Sequence, residues 1–455
     1  MRAPLRILAR LAALLAALQL AIQPAAAQSI LRDAETEQLL QDMVDPLAEA
    51  AGLGKGAVEI VLVQDNSINA FVAGGQRIYI HSGLINAADT ANEVQGVMAH
   101  ELGHITGGHI IRSSEGISQA TNITIVSLLL GVAAIAAGAG EAGMGILAAG
   151  QQAAMGKYLA FSRVQESSAD AASVDFLSKA GISGRGSIEF FKKLQNLEFR
   201  YGVSQDDEAG FSRTHPLTGD RITNLERDFQ RDPAWNKPND PKLEERFQRA
   251  KAKLYGYLAK PQDTLRAYPT TMTGIPARYA RAYAYHKDAQ VDKALTETNA
   301  LIAADPQNPY FLELEGQILL ESGRPRDALE PLREATRLTN NTPLIATTFG
   351  HALIATENQS NFEEAEQVLK AAVTKDRYNP FAWYQLGVVY AARGDMPRAR
   401  LASAEQQSMS GQMAMALTSA EAAERGLPTG SPDWLRAQDI AMAAKAELER
   451  QKKRK

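Results

Sequence analysis

His100-Glu101-Leu102-Gly103-His104 is a segment whose residue types and spacing could do chemistry. Residues four apart share one face of a helix, so two imidazoles at this spacing can hold one metal ion. Glu101 beside them can take a proton from water at that ion. The same histidines could merely cap or pack a solvated helix. Val97, Met98, Ala99 and Ile105, however, make this helix mostly apolar, and buried His and Glu on such a helix need a reason. The template that adds a third His six residues after the second fails here, because that position is Ile110, and His109 is one residue out of register. A Glu on a following helix is the other common solution. Glu166 offers it, with Asp170 one turn later on the same face. Glu166 would complete a His/His/Glu site with its fourth position open to water, and Asp170 would accept the second ring N–H of a ligand histidine. Taken without the first motif, Glu166 reads as an ordinary exposed helix carboxylate.

Composition narrows the choice of metal ligands. The 455 residues include no Cys, which removes thiol nucleophiles, iron–sulfur clusters, disulfides and Cys-ligated zinc together. A formal charge of −4 leaves no global basic field, so nucleic acid is not expected as a partner. Arg2, Arg6 and Arg10, the apolar run at 11–22 and the small residues at 24–27 read as a secretory signal cleaved near Ala27. The run is too short for the ~20 residues of a membrane span. Cleavage removes three Arg and no acid, which takes the charge from −4 to −7. Export without cysteine fits a bacterial periplasm.

The elements that must position these residues can be read next. Residues 29–53 carry apolar side chains at helical spacing, a first amphipathic helix. Residues 57–63, 69–72 and 77–81 read as three strands, the last two around the tight Gly74-Gly75 turn. Thr90 and Glu93 open the helix that bears the motif. Residues 123–140 contain no charge and many Ala and Gly, and helical character returns at 151–177 and 187–197. Residues 206–212 form an acidic loop before His215-Pro216, and the turn-rich stretch 236–241 marks a domain boundary.

Beyond that boundary the sequence repeats. Pro276, Pro309, Pro343 and Pro380 recur at intervals of 33, 34 and 37 residues. Gly316, Gly350 and Gly387 follow the last three, and Ala328, Ala365 and Ala399 follow those, Ala365 displaced by a longer turn at 357–361. Small residues in phase let paired helices approach, and a ~34-residue period with proline ending each unit is the tetratricopeptide (TPR) pattern. Tyr283 stands where the first unit should have Gly, so that unit is degenerate.

The three motifs, His100–His104, residues 162–170 around Glu166, and Ser212-Arg213-Thr214-His215-Pro216, together resemble the gluzincin peptidases that include HtpX and the CAAX prenyl protease. With the signal and the repeats, the resemblance is to the BepA-like periplasmic branch and covers about residues 30–405. It implies that His100, His104 and Glu166 bind one Zn2+ per chain and that Glu101 is the general base. It implies that Asn69, Ala70 and Phe71 lie on an edge strand that holds an extended substrate. It also implies that His215 can reach the zinc and occupy the water position, keeping the enzyme off. A transition-state stabiliser and a structural histidine are the other readings of His215. Arg221 matches a family arginine and could bind the substrate backbone or Glu166. His109 reads as a helix-end group or a partner of the site, and His81, His286 and His351 as ordinary.

The expectation is a mainly α chain. Residues 28–240 form an α+β zinc metalloprotease domain with a small sheet, 241–275 lead-in helices, 276–405 an α-solenoid of TPR helix pairs, and 406–455 C-terminal helices with a basic tail. The implied function is endopeptidase quality control of misfolded outer-membrane proteins in the periplasm. Misfolded envelope proteins would be the substrates, and outer-membrane assembly machinery would dock on the repeats. The rival is a chaperone or scaffold with a latent zinc site. Residues 123–140 are expected to be a mobile apolar hairpin over the active site or on a membrane surface rather than a span or plain core.

Overall fold

A computed structural model describes residues 29–136, 140–201, 215 and 218–454. The signal segment, the acidic loop at 206–212, Thr214 and Pro216 lie outside the described residues. The chain begins with β1 (Ser29–Leu31) and α1 (Ala34–Ala50), so the first residues of the expected helix are a strand instead. Asp33 is the reason: its side chain accepts the Thr36 amide at 2.7 Å, which caps α1 and stops the helix from extending backwards. Then come β2 (Glu59–Gln64), β3 (Ala70–Val72), β4 (Arg77–His81) and a short α2 (Ser82–Ala87). The sheet order is β1-β2-β4-β3; β2 and β4 run parallel and both outer pairs antiparallel. β1 and β3 are therefore the two edges.

The motif helix α3 (Ala91–Thr106) starts at Thr90, whose hydroxyl accepts the Glu93 amide at 3.2 Å. Every residue from Ala91 to His104 is buried, so this is a core helix and not an amphipathic surface one. It packs on β3 and on α5 (Gly140–Ala180) and α6 (Arg185–Tyr201), which follow α4 (His109–Ala136). α5 is one continuous helix and begins well before the position at which helical character was expected to resume. α4 and α5 form an antiparallel pair, with Gly131 against Leu147 and Gly150 against Ser127. The described part of the apolar segment, residues 123–136 and 140, is thus the outer part of a helical hairpin. It is not core, because only 6% of the most apolar stretch of His109–Ala134 is buried, and that helix is long and apolar enough to cross a membrane.

After α7 (Gly219–Gln230), α8 (Pro241–Leu258) sends Phe247, Ala250 and Leu254 into the core formed by the sheet, α1, α3 and α6. A short α9 (Pro261–Ala267) leads to helix pairs: α10 (Ile275–Lys287) with α11 (Val291–Ala304), α12 (Pro309–Glu321) with α13 (Pro325–Leu338), α14 (Pro343–Ala355) with α15 (Phe362–Lys375), and α16 (Pro380–Ala392) with α17 (Met396–Met409). α18 (Met413–Gly426) and α19 (Pro432–Arg454) continue the stack. The periodic glycines do what their phase suggests: a Cβ on Gly316 or Gly350 would stand 2.3 or 2.6 Å from Leu332 or Leu369 of the paired helix. The prolines, expected to end each unit, instead open the first helix of each. At that position the missing N–H would have had no helical partner anyway, and φ is already right. The degenerate first unit still forms a pair, with Tyr283 buried where the others have Gly.

The repeats close back on the first domain. Ala34 of α1 clusters with Leu312, Ala335 and Ile345. Glu35 accepts from Arg249 Nε at 2.5 Å and from the Tyr279 hydroxyl at 2.8 Å, and Lys253 reaches Asp33 at 2.5 Å.

Candidate metal centre and active site

α3 presents His100, Glu101 and His104 on the buried side that meets α5, and Gly103 makes the approach possible. A Cβ there would lie 2.7 Å from the carbonyl oxygen of Ala169, so only hydrogen lets the two backbones come this close. α5 then places Glu166 against both histidines and Asp170 against His100. His100 Nε2 lies 3.1 Å from His104 Nε2 and 3.4 Å from Glu166 Oε2. His104 Nε2 lies 3.4 Å from Glu166 Oε1. His215 brings its Nδ1 to 3.3 Å from His100 Nε2 and 3.1 Å from Glu166 Oε1.

These separations test whether a metal fits. Four donors at ~2.0–2.1 Å in a tetrahedron are about 3.3 Å apart along each edge, and four of the six edges between His100 Nε2, His104 Nε2, His215 Nδ1 and Glu166 Oε1 run from 3.1 to 3.4 Å. Hydrogen bonding alone gives no reason for two imidazole Nε2 atoms and two carboxylate oxygens to converge in this way. The four residues are buried, and their donor atoms all lie within 4.8 Å of one another. They can hold one ion, with His215 at the fourth corner.

The surroundings fix the ligands. Asp170 Oδ1 lies 3.0 Å from His100 Nδ1, which turns the Nε2 lone pair toward the centre. Arg221, at the start of α7, reaches Asp170 through Nε at 2.5 Å and Nη2 at 2.8 Å, and Glu166 through Nη1 at 2.9 Å. Its backbone is held by the Thr218 cap, and its guanidinium lies over the Phe191 ring. Arg221 thus meets Glu166, one of the two partners expected for it. His104 has its own partner, because His109 Nδ1 lies 2.9 Å from His104 Nδ1. The Gly107-Gly108 turn, with Gly108 at φ +62°, folds the first residue of α4 back over α3. His109 is thus both a helix-end group and a partner of the site, although it lies one residue out of register with the third-histidine template.

Electrostatics follow from burial. Burial pushes the Glu101 carboxyl up to about 7, against the pull of His104 and His100. Neither Glu101 oxygen has a hydrogen-bond partner among the described residues, although His215 Nε2 stands 3.4 Å from Oε1. A carboxylate left this way in a sealed core is poised to accept a proton near neutral pH. Burial alone would lower His100, but Asp170 and Glu166 outweigh it and hold the imidazole up at about 9. Burial raises Glu166, yet its contacts with His100, His104 and His215 drive it far below the usual carboxylate range.

β3 flanks α3 at the sheet edge, with Ala70 buried and Phe71 stacked on Tyr79 at 5.0 Å. Asn69, just before it, accepts the His81 amide through its carbonyl at 3.0 Å. His81 itself bonds Ser67 Oγ at 2.8 Å, and His286 bonds Glu321 at 2.8 Å, both away from the centre.

Comparison with known proteins agrees with this geometry. Residues 34–228 match the model of Peptidase family M48. The chain is 24% identical over 409 residues to the beta-barrel assembly-enhancing protease of Escherichia coli (strain K12), covering 88% of this chain and 81% of that one. It is 32% identical over 163 residues to metalloprotease LoiP of the same organism, covering 35% and 57%. Among solved structures, the TPR protein YrrB aligns with a TM-score of 0.32 and 21% identity over 38% of this chain and 91% of that one, too slight a likeness to argue from.

Proposed function

We propose that this chain, whose residues 34–228 are a Peptidase family M48 domain, is a zinc endopeptidase of the bacterial periplasm that removes misfolded or stalled outer-membrane proteins. The observation that carries the reading is the convergence of His100, His104, Glu166 and His215, whose donor atoms lie within 4.8 Å of one another, beside a buried Glu101. Similarity along most of the chain to relatives named beta-barrel assembly-enhancing protease supports the substrate class. Zinc, when bound by His100, His104 and Glu166, would supply Lewis acidity to a scissile carbonyl and lower the pKa of the attacking water.

The chain's own residues do the rest. β3 holds the substrate as an added strand through Asn69, Ala70 and Phe71, which sets the scissile bond beside α3. Glu101 takes a proton from water as its oxygen attacks the carbonyl carbon, then passes that proton to the amine nitrogen as the C–N bond breaks. Asp170 keeps His100 in the tautomer that donates its lone pair inward. Arg221 holds Asp170 and Glu166 in place, so we assign it a positioning role and not substrate binding.

His215 at the fourth corner favours a latent resting state, in which water has no place until the His215 side chain withdraws. That supports the second reading, a chaperone or assembly scaffold whose repeats deliver envelope proteins while the peptidase stays off. The apolar hairpin of α4 and α5 suits contact with a membrane surface or with hydrophobic clients: Ile111, Leu129 and Val164 are 81%, 65% and 70% exposed. The deciding experiment is cleavage of casein or a misfolded barrel by zinc-loaded protein and by Glu101→Gln. The variant should keep zinc and lose cleavage, whereas His100→Ala should lose both. Proteolysis retained by purified Glu101→Gln would sink the assignment.

A further inference from the structure

A cavity of about 770 Å³ lies between the first domain and the repeats, on the side of the sheet away from the catalytic edge. One wall is β1 together with the start of α1; the other is formed by α12, α14 and α16. Among the described residues β1 pairs with β2 on one side only, so the N–H and C=O groups on its other side form an edge that no described strand uses. Ile30, in the middle of that strand, is 59% exposed. Opposite it stand Leu320, Leu344 and Phe381, an apolar surface of the kind that receives alternate side chains of an extended chain. Deeper in, Glu313 lines the cavity, and its Oε2 is buried without a hydrogen-bond partner among the described residues. The neighbouring cation, Lys253, is committed to Asp33 and Glu35.

We propose that this cavity is a holding site for an extended, strand-forming peptide that carries a basic side chain. β1 pairs with its backbone, the apolar wall takes its alternate residues, and Glu313 receives the cation. The space suits a single strand and excludes a folded domain. Burial pushes the Glu313 carboxyl up to about 8, and a cation brought beside it offsets that cost. The proposal rests on reading the repeats as a partner-binding arm, and it adds where the partner lies and what it is. An unfolded client would be held at β1 while β3 remains the cutting edge, so holding and cleavage use opposite edges of one sheet.

The test is done on the full exported chain carrying Glu101→Gln, so that binding is read without cleavage. The probe is a fluorescein-labelled peptide alternating valine and threonine around one central lysine, with a methionine counterpart, followed by anisotropy. The lysine peptide should bind more tightly. Phe381→Asp should weaken both peptides about tenfold or more, and Glu313→Gln should abolish the preference for lysine, with thermal melting unchanged. Tyr378→Asp, at an 81% exposed aromatic outside the cavity, should change nothing. A photo-crosslinking residue placed at position 30 should capture the peptide. Equal binding by Phe381→Asp, or capture only from position 71, would overturn the proposal. So would capture, from position 30, of another part of this chain in place of the peptide, because the chain itself would then be the occupant. Intact peptide binding in a protein that never cleaves would instead fault the catalytic reading alone.

Discussion

Gly103 offers a sharp test of how the metal centre is built. In Gly103→Ala the new methyl would start 2.7 Å from the Ala169 carbonyl oxygen and 2.8 Å from its Cα, both backbone atoms of α5 that cannot rotate away. Ordinary contact begins at 3.4 Å, so α5 must retreat by about 0.7 Å at this point. Glu166 lies one turn earlier on the same helix and moves with it, whereas metal–ligand distances tolerate only about 0.2 Å. Overpacking costs roughly 1–3 kcal/mol, and alanine returns about 1 kcal/mol of helix propensity. The metal-free fold should therefore lose only about 0–2 kcal/mol. Zinc affinity should fall about 10–100-fold, the usual loss when ligand support is disturbed. Chelator competition measures the affinity, and melting in excess EDTA measures the fold. Gly156→Ala, on the same helix with nothing within 4 Å, should leave zinc affinity unchanged. Wild-type zinc affinity and cleavage in Gly103→Ala would refute the close-approach argument.

Four other outcomes are expected. His215→Ala should raise cleavage of casein by opening the fourth corner; reduced cleavage with unchanged zinc content would make His215 a catalytic helper instead. His109→Leu should lower zinc affinity about 10–100-fold through the loss of the His104 contact, and His109→Gln should restore most of it; equal affinity in all three proteins would leave His109 without this role. Arg221→Gln takes the guanidinium away from two buried carboxylates, leaving them only histidine partners, and should cost about 3–5 kcal/mol in denaturant unfolding of the metal-free protein, so a loss under 1 kcal/mol would count against the positioning role. Deleting residues 123–145 should reduce co-flotation with lipid vesicles or capture of an unfolded barrel, and no change in either would show that the hairpin's apolar surface serves neither purpose.

The local parts of this protein are legible in the chain. His100, Glu101 and His104 are fixed relative to one another by the period of one helix, and Glu166 and Asp170 by the period of another, so residue spacing settles each pair. Gly316, Gly350 and Gly387 could be read in phase for the same reason, since each unit contacts mainly its neighbours. Proline was placed correctly but read at the wrong end of the unit, because the period of a repeat carries no mark of where a unit begins.

What only the tertiary structure decided is every relation between elements. Arg221 turned to Asp170 and Glu166, His109 folded back onto His104, and His215, 49 residues beyond Glu166, came to 3.1 Å from its Oε1. Gly103 became a packing residue because α5 happens to cross α3 there. The free edge of β1 came to face the repeats, far from it in sequence, and made a cavity that neither domain has alone. Sequence periodicity reports which residues share a face of one element. Which faces meet depends on how several buried surfaces are satisfied at once, and that is settled only when the chain packs.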